Sequence, residues 1–315
     1  MNKHYNIAFV GLGSIGTRHL KNVQSYLDGR GDSYTIDLYR SVLRDELPNG
    51  VTAQYLYADV LPEDRAYDIV FITNPTSMHL EAVEKFINHT KSYFIEKPVS
   101  DHTFDASKHN GLLNQLAAKV AYVACPLRYN PVLQYIHESG IYKDAISVRA
   151  ISSSYLPDWR PGQDYRQCYS AHKELGGGVG IDLIHEWDYL TWLFGMPIEV
   201  KSIRAKLSNL EIDSDDLAIY IGQTESVGIE VHLDYVGRKI IRVLEMFLPD
   251  DTIKCDLVKG SIEHLMSGES VHFSYDRNTG HMAEIVHFFD IVDNKIDNDS
   301  TVAHAIEVLN IAKGE

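Results

Sequence analysis

Residues 175–188 combine glycines with groups that can carry protons. The stretch is LGGGVGIDLIHEWD and contains Asp182, His185 and Glu186. An imidazole titrates close to neutral pH and suits general acid–base chemistry, while a nearby carboxylate can orient it and favour its charged form. Consecutive glycines supply no packing, which indicates that a ligand or another backbone approaches there. The segment is therefore a candidate for proton transfer, and a solvated helix face behind a flexible loop is the alternative.

The same segment is predicted to form one helix from about Val179 to Gly195, because a C-terminal glycine with Pro197 just beyond is a usual helix stop. Residues three and four apart share a helix face, so the pattern predicts two neighbouring stripes. The apolar stripe, expected to face the core, comprises Leu183, Trp187, Leu190 and Phe194. The polar stripe comprises Asp182, His185, Glu186 and Tyr189.

A second group of candidates lies at the N-terminus. The apolar run Tyr5–Val10 predicts a strand, GLGSIG follows it, and a helical pattern continues to Leu27. In that context the glycines allow a tight turn, close approach of a pyrophosphate and close helix packing, and the helix N-terminus faces the phosphates. The pattern favours a dinucleotide-binding turn over a purely structural glycine turn. Its expected cofactor contacts are Gly11, Gly13, Ser14, Ile15 and Gly16.

The type of dinucleotide is indicated by the end of the next predicted strand, residues 34–39. An acidic residue usually holds the ribose 2′-hydroxyl of NAD there, but this chain has Arg40 and Ser41. A guanidinium beside a hydroxyl suits a 2′-phosphate, so NADP(H) is preferred and NAD(H) is the alternative. Arg40 could instead stack on the adenine or lie in solvent, and Asp37 lies too early in the strand to be a confident acidic substitute.

Further strands are predicted at 68–73, 92–96 and 120–123, with helices at 78–87 and about 103–118 between them. Alternation of strands and helices predicts a parallel sheet whose ligands bind at the carboxyl ends of the strands. The residues expected at that edge are Asn74, Pro75, His79, Glu96 and Lys97. Cys125 and Pro126 mark the expected domain boundary.

A long aromatic and basic stretch from Tyr155 to Lys173 is predicted to be a functional loop. Aromatic faces suit a sugar or base, and cations suit a carboxylate or phosphate. A loop that forms an interface between two subunits is the alternative, and one loop can serve both functions. The candidate substrate residues, with two from the domain boundary, are Arg128, Tyr129, Trp159, Arg160, Tyr165, Arg166 and Lys173. Tyr169 offers a further stacking face.

Beyond residue 198 the chain changes to segments that predict successive antiparallel strands. They are 199–207, 216–221, 226–235, 239–248 and 252–257, followed by helices near 279–293 and 301–313. Helices are expected to cover one face of such a broad sheet and another subunit to cover the opposite face. A homo-oligomer, either dimer or tetramer, is therefore expected.

Length and composition set the class of protein. A chain of 315 residues predicts two domains, here 1–124 for NAD(P) and 125–315 for substrate and oligomerisation. The net charge of −15 disfavours nucleic acid as a partner, and no apolar run is long enough to span a membrane. The N-terminal sequence lacks a secretory pattern and the three cysteines form no CxxC pair, so a cytoplasmic location and no structural metal are expected. The scattered histidines His272, His281 and His287 form no metal-ligand grouping in sequence.

Five motifs occur together and in order: GLGSIGTRH, TNPTSMH, EKPVS, CPLRYNP and LGGGVGIDLIHEWD. This set resembles the Gfo/Idh/MocA family of NAD(P)-dependent oxidoreductases. The resemblance implies a Rossmann domain, then an α/β domain with a large, open, mostly antiparallel sheet, and hydride transfer on sugars, polyols or nucleotide-linked sugars. It also implies catalytic roles for Lys97 of EKP and for Asp182 and His185, although this histidine follows the acid by three residues where four is common.

The sequence therefore predicts an oxidoreductase that acts on a hydroxyl or keto carbon of a sugar, sugar acid or nucleotide-linked sugar, including anionic ones. His185 is assigned proton transfer, Asp182 its orientation and Lys97 an electrostatic role, with Lys97 as the alternative proton carrier. Two other functions stay open. One is a glycosidase that oxidises its substrate transiently with NAD, and the other is a non-catalytic nucleotide-binding regulator or scaffold.

Overall fold

The computed structural model describes residues 2–101 and 104–314, without the side chain of Arg277. The chain divides into two compact units. The first contains the residues up to Ala124 together with His281–Ile306, and the second contains Cys125–Gly280 together with the residues from Glu307. The division at Ala124 coincides with the expected boundary. The prediction placed residues 281–306 in the second domain, whereas they belong to the first unit.

The first unit is built on a six-stranded, parallel Rossmann-type sheet with the strand order β3-β2-β1-β4-β5-β6. The strands are β1 (His4–Val10), β2 (Ser33–Arg40), β3 (Ala53–Leu56), β4 (Tyr67–Ile72), β5 (Thr90–Ile95) and β6 (Val120–Val123). The helices between them are α1 (Ser14–Arg30), α2 (His79–Lys85) and α3 (Ala106–Ala117). The predicted start of the third helix at residue 103 lies outside the described residues, and β3 is an addition to the predicted strands.

An aromatic cluster explains why residues near the C-terminus belong to the first unit. Phe71 on β4 stacks on Phe9 of β1 and lies 5.1 Å from Phe94 of β5. Phe288, on α7 (Arg277–Val292), packs edge-on against both Phe71 and Phe94 at 5.8 and 5.2 Å. All four rings are fully buried, so this part of α7 completes the core of the sheet.

The second unit is built on an eight-stranded sheet with the order β14-β13-β12-β11-β7-β10-β9-β8. Only the central pair β7 and β10 is parallel, so the sheet is mostly antiparallel, as predicted. The strands are β7 (Ser147–Tyr155), β8 (Glu199–Ala205), β9 (Leu217–Gln223), β10 (Gly228–Asp234), β11 (Val236–Phe247), β12 (Thr252–Asp256), β13 (Ser261–His264) and β14 (Ser270–His272). The helices are α4 (Pro131–Ser139), α5 (Val179–Asp182), α6 (His185–Phe194) and the end of α8 (Val302–Lys313).

The predicted single helix from Val179 to Gly195 is wrong, because two helices occupy the segment. α5 ends at Asp182 and α6 begins at His185. Around the break the backbone changes to tighter bonds, with Ile184 N–H donating to Ile181 O and Glu186 N–H to Leu183 O. Both predicted stripes are largely buried.

Within the described residues, none of the helices has the length and apolar character that a bilayer crossing requires.

Candidate functional sites in the two units

The glycine turn after β1 fits a dinucleotide phosphate group. Gly11 has φ +83°, and a Cβ there would lie 2.8 Å from the Asn74 Cα, so only glycine is tolerated. A Cβ on Gly13 would meet nothing within 4 Å, which leaves open space in front of α1. The N-terminus of α1 has no side-chain cap, so its first N–H groups, including those of Ser14 and Ile15, are placed for an anion.

The turn contacts the carboxyl ends of the two strands that flank β1. Gly11 N–H donates to Tyr39 O at the end of β2, at 2.8 Å. Thr73, directly after β4, donates its hydroxyl to Gly11 O at 2.8 Å. A Cβ on Gly16 would lie 2.6 Å from Thr73 Oγ1, which explains the close packing of α1 on the sheet. Thr73 is thus a buried part of this edge that the sequence prediction omitted.

The end of β2 presents two arginines. Arg40 Nη1 donates to Gln54 Oε1 at 3.3 Å, and the same amide group of Gln54 bonds to the main chain of Arg44. Burial and the nearby charge of Arg44 lower the pKa of Arg40. Asp37 is turned away from this edge, since its Oδ2 accepts from Arg65 Nη1 and from the Tyr67 hydroxyl, both at 2.8 Å. Ser41 is exposed beside Arg40.

The loop after β4 carries the other predicted cofactor residues. Asn74 is half-buried and Pro75 is exposed. His79 is buried, with Nε2 at 3.0 Å from Asn74 O and Nδ1 at 2.9 Å from Pro98 O. Burial lowers the pKa of His79. The ring therefore joins two loops of this edge through their backbones.

The end of β5 places Lys97 next to a buried ion pair. Glu96 Oε1 lies 2.5 Å from His19 Nε2, and Glu96 Oε2 accepts from Lys97 N–H at 3.2 Å. Burial opposes ionisation of Glu96, but the hydrogen bond and charge of His19 outweigh it and lower the pKa of Glu96. Lys97 itself is half-buried. His19, the last residue of GLGSIGTRH, was not among the predicted site residues.

In the second unit, Asp182 is a buried carboxylate held by tyrosine hydroxyls. Tyr235 donates to Asp182 Oδ2 at 2.6 Å, and Tyr169 also hydrogen-bonds to Asp182. The charge of Asp182 and burial raise the pKa of Tyr169. Burial followed by that charge raises the pKa of Tyr235. The cluster links the junction of β10 and β11, and the aromatic loop formed by residues 155–173, to the end of α5.

Close contacts within the chain account for two of the three consecutive glycines, Gly177 and Gly178. A Cβ on Gly177 would lie 2.3 Å from Tyr169 O and 2.6 Å from Ser170 O. Gly178 has φ +135°, and a Cβ there would lie 2.6 Å from Asp215 Oδ1. The loop residues Tyr169 and Ser170 and the side chain of Asp215 therefore lie against the glycines that precede α5.

The alternative of a solvated helix face is wrong, because the acids of this segment are buried. Glu186 is 0% exposed and lies 2.7 Å from Arg242 Nε. Burial raises the pKa of Glu186, although Arg242 opposes the change. His185, the first residue of α6, is half-buried.

The predicted substrate residues fall into two groups. Trp159 packs edge-on against Tyr235 at 5.2 Å, and Arg160 lies over the Tyr169 ring at 5.6 Å, so both adjoin the Asp182 cluster. Others lie further along the loop. The Arg166 guanidinium pairs with Asp164 and Glu211, the Tyr165 hydroxyl accepts from Glu211 N–H, and Lys173 is exposed.

The two candidates from the predicted domain boundary differ in burial. Arg128 is buried and forms two hydrogen bonds to Asp188, from Nε at 3.0 Å and from Nη2 at 2.7 Å. Tyr129 is half-buried. Arg128 therefore ties the turn before α4 to α6.

Comparisons with known proteins agree with this fold. Residues 5–124 match the model of the Gfo/Idh/MocA family, described as an oxidoreductase family with an NAD-binding Rossmann fold. D-xylose dehydrogenase from Paenarthrobacter nicotinovorans is 26% identical over 151 residues, which are 47% of this chain and 38% of that protein. The matched stretch thus spans less than half of this curated relative.

Three solved structures share the architecture over nearly the whole chain. Levoglucosan dehydrogenase in complex with NADH and levoglucosan has a TM-score of 0.80 at 15% identity and covers 99% of this chain and 96% of its own. UDP-N-acetylglucosamine 3-dehydrogenase from Acidithiobacillus ferrooxidans has a TM-score of 0.75 at 18% identity, covering 98% and 95%. myo-Inositol 2-dehydrogenase from Lactobacillus plantarum has a TM-score of 0.75 at 18% identity, with the same coverage. At these identities the likeness is one of fold.

The parallel sheet, the glycine turn and the matching family model define the first unit as a Rossmann fold of the NAD-binding type. Residues 5–124 are thus similar in sequence to the Gfo/Idh/MocA family.

Proposed function

We propose that this protein exchanges a hydride between NADP(H) and a hydroxyl or keto carbon of a sugar-type substrate, with NAD(H) as the weaker cofactor. The family match supports an oxidoreductase with a nicotinamide cofactor. The D-xylose dehydrogenase relative supports a sugar. The observation that carries the cofactor preference is the end of β2, where Gln54 bonds to Arg40 and to the main chain of Arg44, while Asp37 is occupied elsewhere.

The preference is tested by the dissociation constants of NADPH and NADH, measured by nicotinamide fluorescence. A charge-assisted bond to a phosphate contributes about 1.5–3 kcal/mol, so Arg40→Ala should weaken NADPH about 10- to 100-fold and leave NADH nearly unchanged. Arg149→Ala, which alters a surface arginine of the other unit, is the matched control. Tighter binding of NADH than NADPH by the wild type would contradict the preference.

Proton transfer is assigned to His185, and Lys97 is assigned the polarisation of the substrate oxygen. The bound nicotinamide supplies the hydride exchange. An alcohol then needs a base for its proton and a ketone needs an acid, and a half-buried imidazole serves both directions. Asp182, which accepts hydrogen bonds from the hydroxyls of Tyr235 and Tyr169, is proposed as the carboxylate that orients His185 and favours the imidazolium.

The two roles separate in kinetics. His185→Gln should lower kcat and remove one limb of its pH profile, whereas Lys97→Arg should keep that limb while losing rate. If His185→Ala turned over near the wild-type rate while Lys97→Ala abolished turnover, the roles would have to be exchanged.

The substrate is proposed to be a sugar that carries an anionic group. Trp159 and Arg160 adjoin the Asp182 cluster, and an exposed guanidinium suits a carboxylate or phosphate. Arg160→Ala should raise KM for anionic sugars and leave KM for neutral sugars unchanged. Arg166→Ala is the control, because its guanidinium already pairs with two carboxylates of the same chain. An equal effect of both variants would contradict the assignment.

A homo-oligomer is also proposed, on the basis of the open sheet of the second unit. Ile203 on β8 and Ile221 on β9 are each 65% exposed on the same face. Light scattering should give a dimer or tetramer, and Ile203→Glu with Ile221→Glu should shift it toward monomer. A monomeric wild type would contradict this. The assignment of cofactor binding to the first unit and substrate binding to the second, and a cytoplasmic location, likewise stay predictions.

A further inference from the structure

A buried group of ionisable side chains in the first unit has no role in the chemistry proposed above. It consists of His19 on α1, Glu96 after β5, and His281 and Glu284 on α7. His19 and Glu284 are 0% exposed, His281 is 5% exposed and Glu96 is 8% exposed. Potential ligand atoms of the two histidines and Glu284 lie within 4.8 Å of one another. Burying four such groups costs solvation energy, so they must compensate one another's charges.

His19 is held rigidly within this group. Its ring meets Phe94 edge-on at 4.8 Å and lies 5.7 Å from the ring of His281. Because an ionised carboxylate can only accept, the imidazole donates its Nε2–H to Glu96. The Nδ1 atom of His19 is buried without a hydrogen-bond partner among the described residues. The donor position of the ring is therefore set by packing and by Glu96.

Glu96 transmits this contact to the next residue. One oxygen faces His19 and the other accepts from the main-chain N–H of Lys97. The Glu96 N–H is itself fixed by Ile72 O at 3.0 Å. After His19, the charges of Lys97 and His281 also favour the carboxylate form, with the result that the pKa of Glu96 is lowered despite burial. A rigid, charged carboxylate thus borders the point where Lys97 leaves the sheet.

We propose that His19 is a positioning residue for Lys97, acting through the Glu96 carboxylate that bonds to the Lys97 main chain. This inference rests on the proposed function, because only a lysine that contacts the substrate needs so exact a position. His19 touches neither substrate nor cofactor in this account, and its effect passes through two hydrogen bonds.

Two variants of His19, one without and one with a hydrogen-bond donor in its side chain, test the inference. His19→Leu removes the donor at similar volume, whereas His19→Gln keeps an N–H near the Nε2 position. Displacement of a reacting group by about 1 Å costs up to ~100-fold in rate, so His19→Leu should lower kcat about 10- to 100-fold while Kd for NADPH changes less than about 3-fold. His19→Gln should restore most of the loss.

The matched control is Tyr93→Phe, on strand β5, which ends directly before Glu96. It removes a buried hydrogen bond from the Tyr93 hydroxyl to Val83 O, a bond in which neither Glu96 nor Lys97 takes part. It should lower the melting temperature without lowering kcat. If His19→Leu reduced kcat no more than Tyr93→Phe does, or if folded His19→Gln lost as much kcat as His19→Leu, the inference would be overturned.

A second readout works without turnover and separates the two proposals. Reductive ¹³C-methylation labels the lysines, and Lys97→Arg assigns the Lys97 resonance. At one neutral pH this resonance should move in His19→Leu and stay in place in His19→Gln, even if no substrate of the enzyme is found. An unmoved resonance in His19→Leu would overturn the inference. One equivalent of tightly bound transition metal in the purified protein would also overturn it, because a cation would then hold the histidines.

Discussion

Replacing Arg128 by methionine should destabilise the protein far more than the same change at Arg149. Both arginines form two-point contacts with a carboxylate, Arg128 with Asp188 and Arg149 with Glu245. Their side chains are 3% and 46% exposed, respectively. Removing one partner of a buried pair costs about 3–5 kcal/mol, because the other charge stays buried and unpaired. An exposed pair contributes about 0–1 kcal/mol.

The magnitude for Arg128 lies toward the lower limit, since Asp188 is itself 16% exposed and keeps some contact with water. We therefore expect a loss of about 3 kcal/mol for Arg128→Met, within the range for broken buried pairs. For a unit of this size each kcal/mol shifts Tm by about 2–4 °C, so the melting temperature should fall by about 6–12 °C. Arg149→Met should lower it by less than about 4 °C.

Calorimetry and urea unfolding of Arg128→Met and Arg149→Met measure the difference in stability between them. A double variant tests whether the unpaired Asp188 causes it. Arg128→Met combined with Asp188→Leu should be more stable than Arg128→Met alone, because the unpaired acid is gone. Equal melting temperatures for Arg128→Met and Arg149→Met would refute the reasoning. A stable Arg128→Met that had lost substrate affinity would favour the substrate role predicted from the sequence.

Three further outcomes follow from individual contacts. Gly177→Ala should prevent folding of the second unit, because the added Cβ would lie 2.3 Å from a carbonyl oxygen. The control is Gly29→Ala on α1, where a Cβ would meet nothing within 4 Å, and a thermal scan should show its Tm unchanged or slightly raised. A thiol reagent should modify half-buried Cys168 and spare the other two cysteines until the protein unfolds, as peptide mapping would show. Burial opposes ionisation of Asp293, but hydrogen bonds from three partners outweigh it and lower the pKa of this carboxyl. The free energy that ionised Asp293 contributes to folding should therefore be complete above the ordinary aspartate pKa of about 4, and it should be lost as the pH falls through the lower pKa of the folded state. The stability gap between wild type and Asp293→Asn, measured by urea unfolding across pH, should therefore close in acid, and a constant gap would contradict this.

Local patterns predicted most of the regular elements. The Rossmann strands and α1 were recognisable because their apolar residues recur at strand and helix spacing around GLGSIG. β7 was missed because its sequence, SVRAISSSY, places Ser152 and Ser153 at buried positions where apolar residues would have marked a strand. The break between α5 and α6 was missed because periodicity continues across it.

The candidate sites were predictable in residue type but not in partnership. Asp182 and Lys97 stand in recognisable motifs, whereas their neighbours come from distant parts of the chain. Tyr235 lies 53 positions from Asp182, and His19 lies 77 positions from Glu96. Arg128 was assigned to substrate because its pairing with Asp188, 60 positions away, is invisible in sequence. Such contacts arise from the tertiary fold and leave no local signal.

The central claim is that the protein transfers hydride between a nicotinamide and a sugar-type substrate with the help of Lys97. Its most direct test follows the nicotinamide absorbance while purified protein meets a panel of sugars, sugar acids and nucleotide-linked sugars, with NADP⁺ in one direction and NADPH in the other. The account predicts turnover with at least one anionic member, and its loss in Lys97→Met that still binds NADPH. Silence across the panel in both directions, by protein shown to bind NADPH, would contradict it.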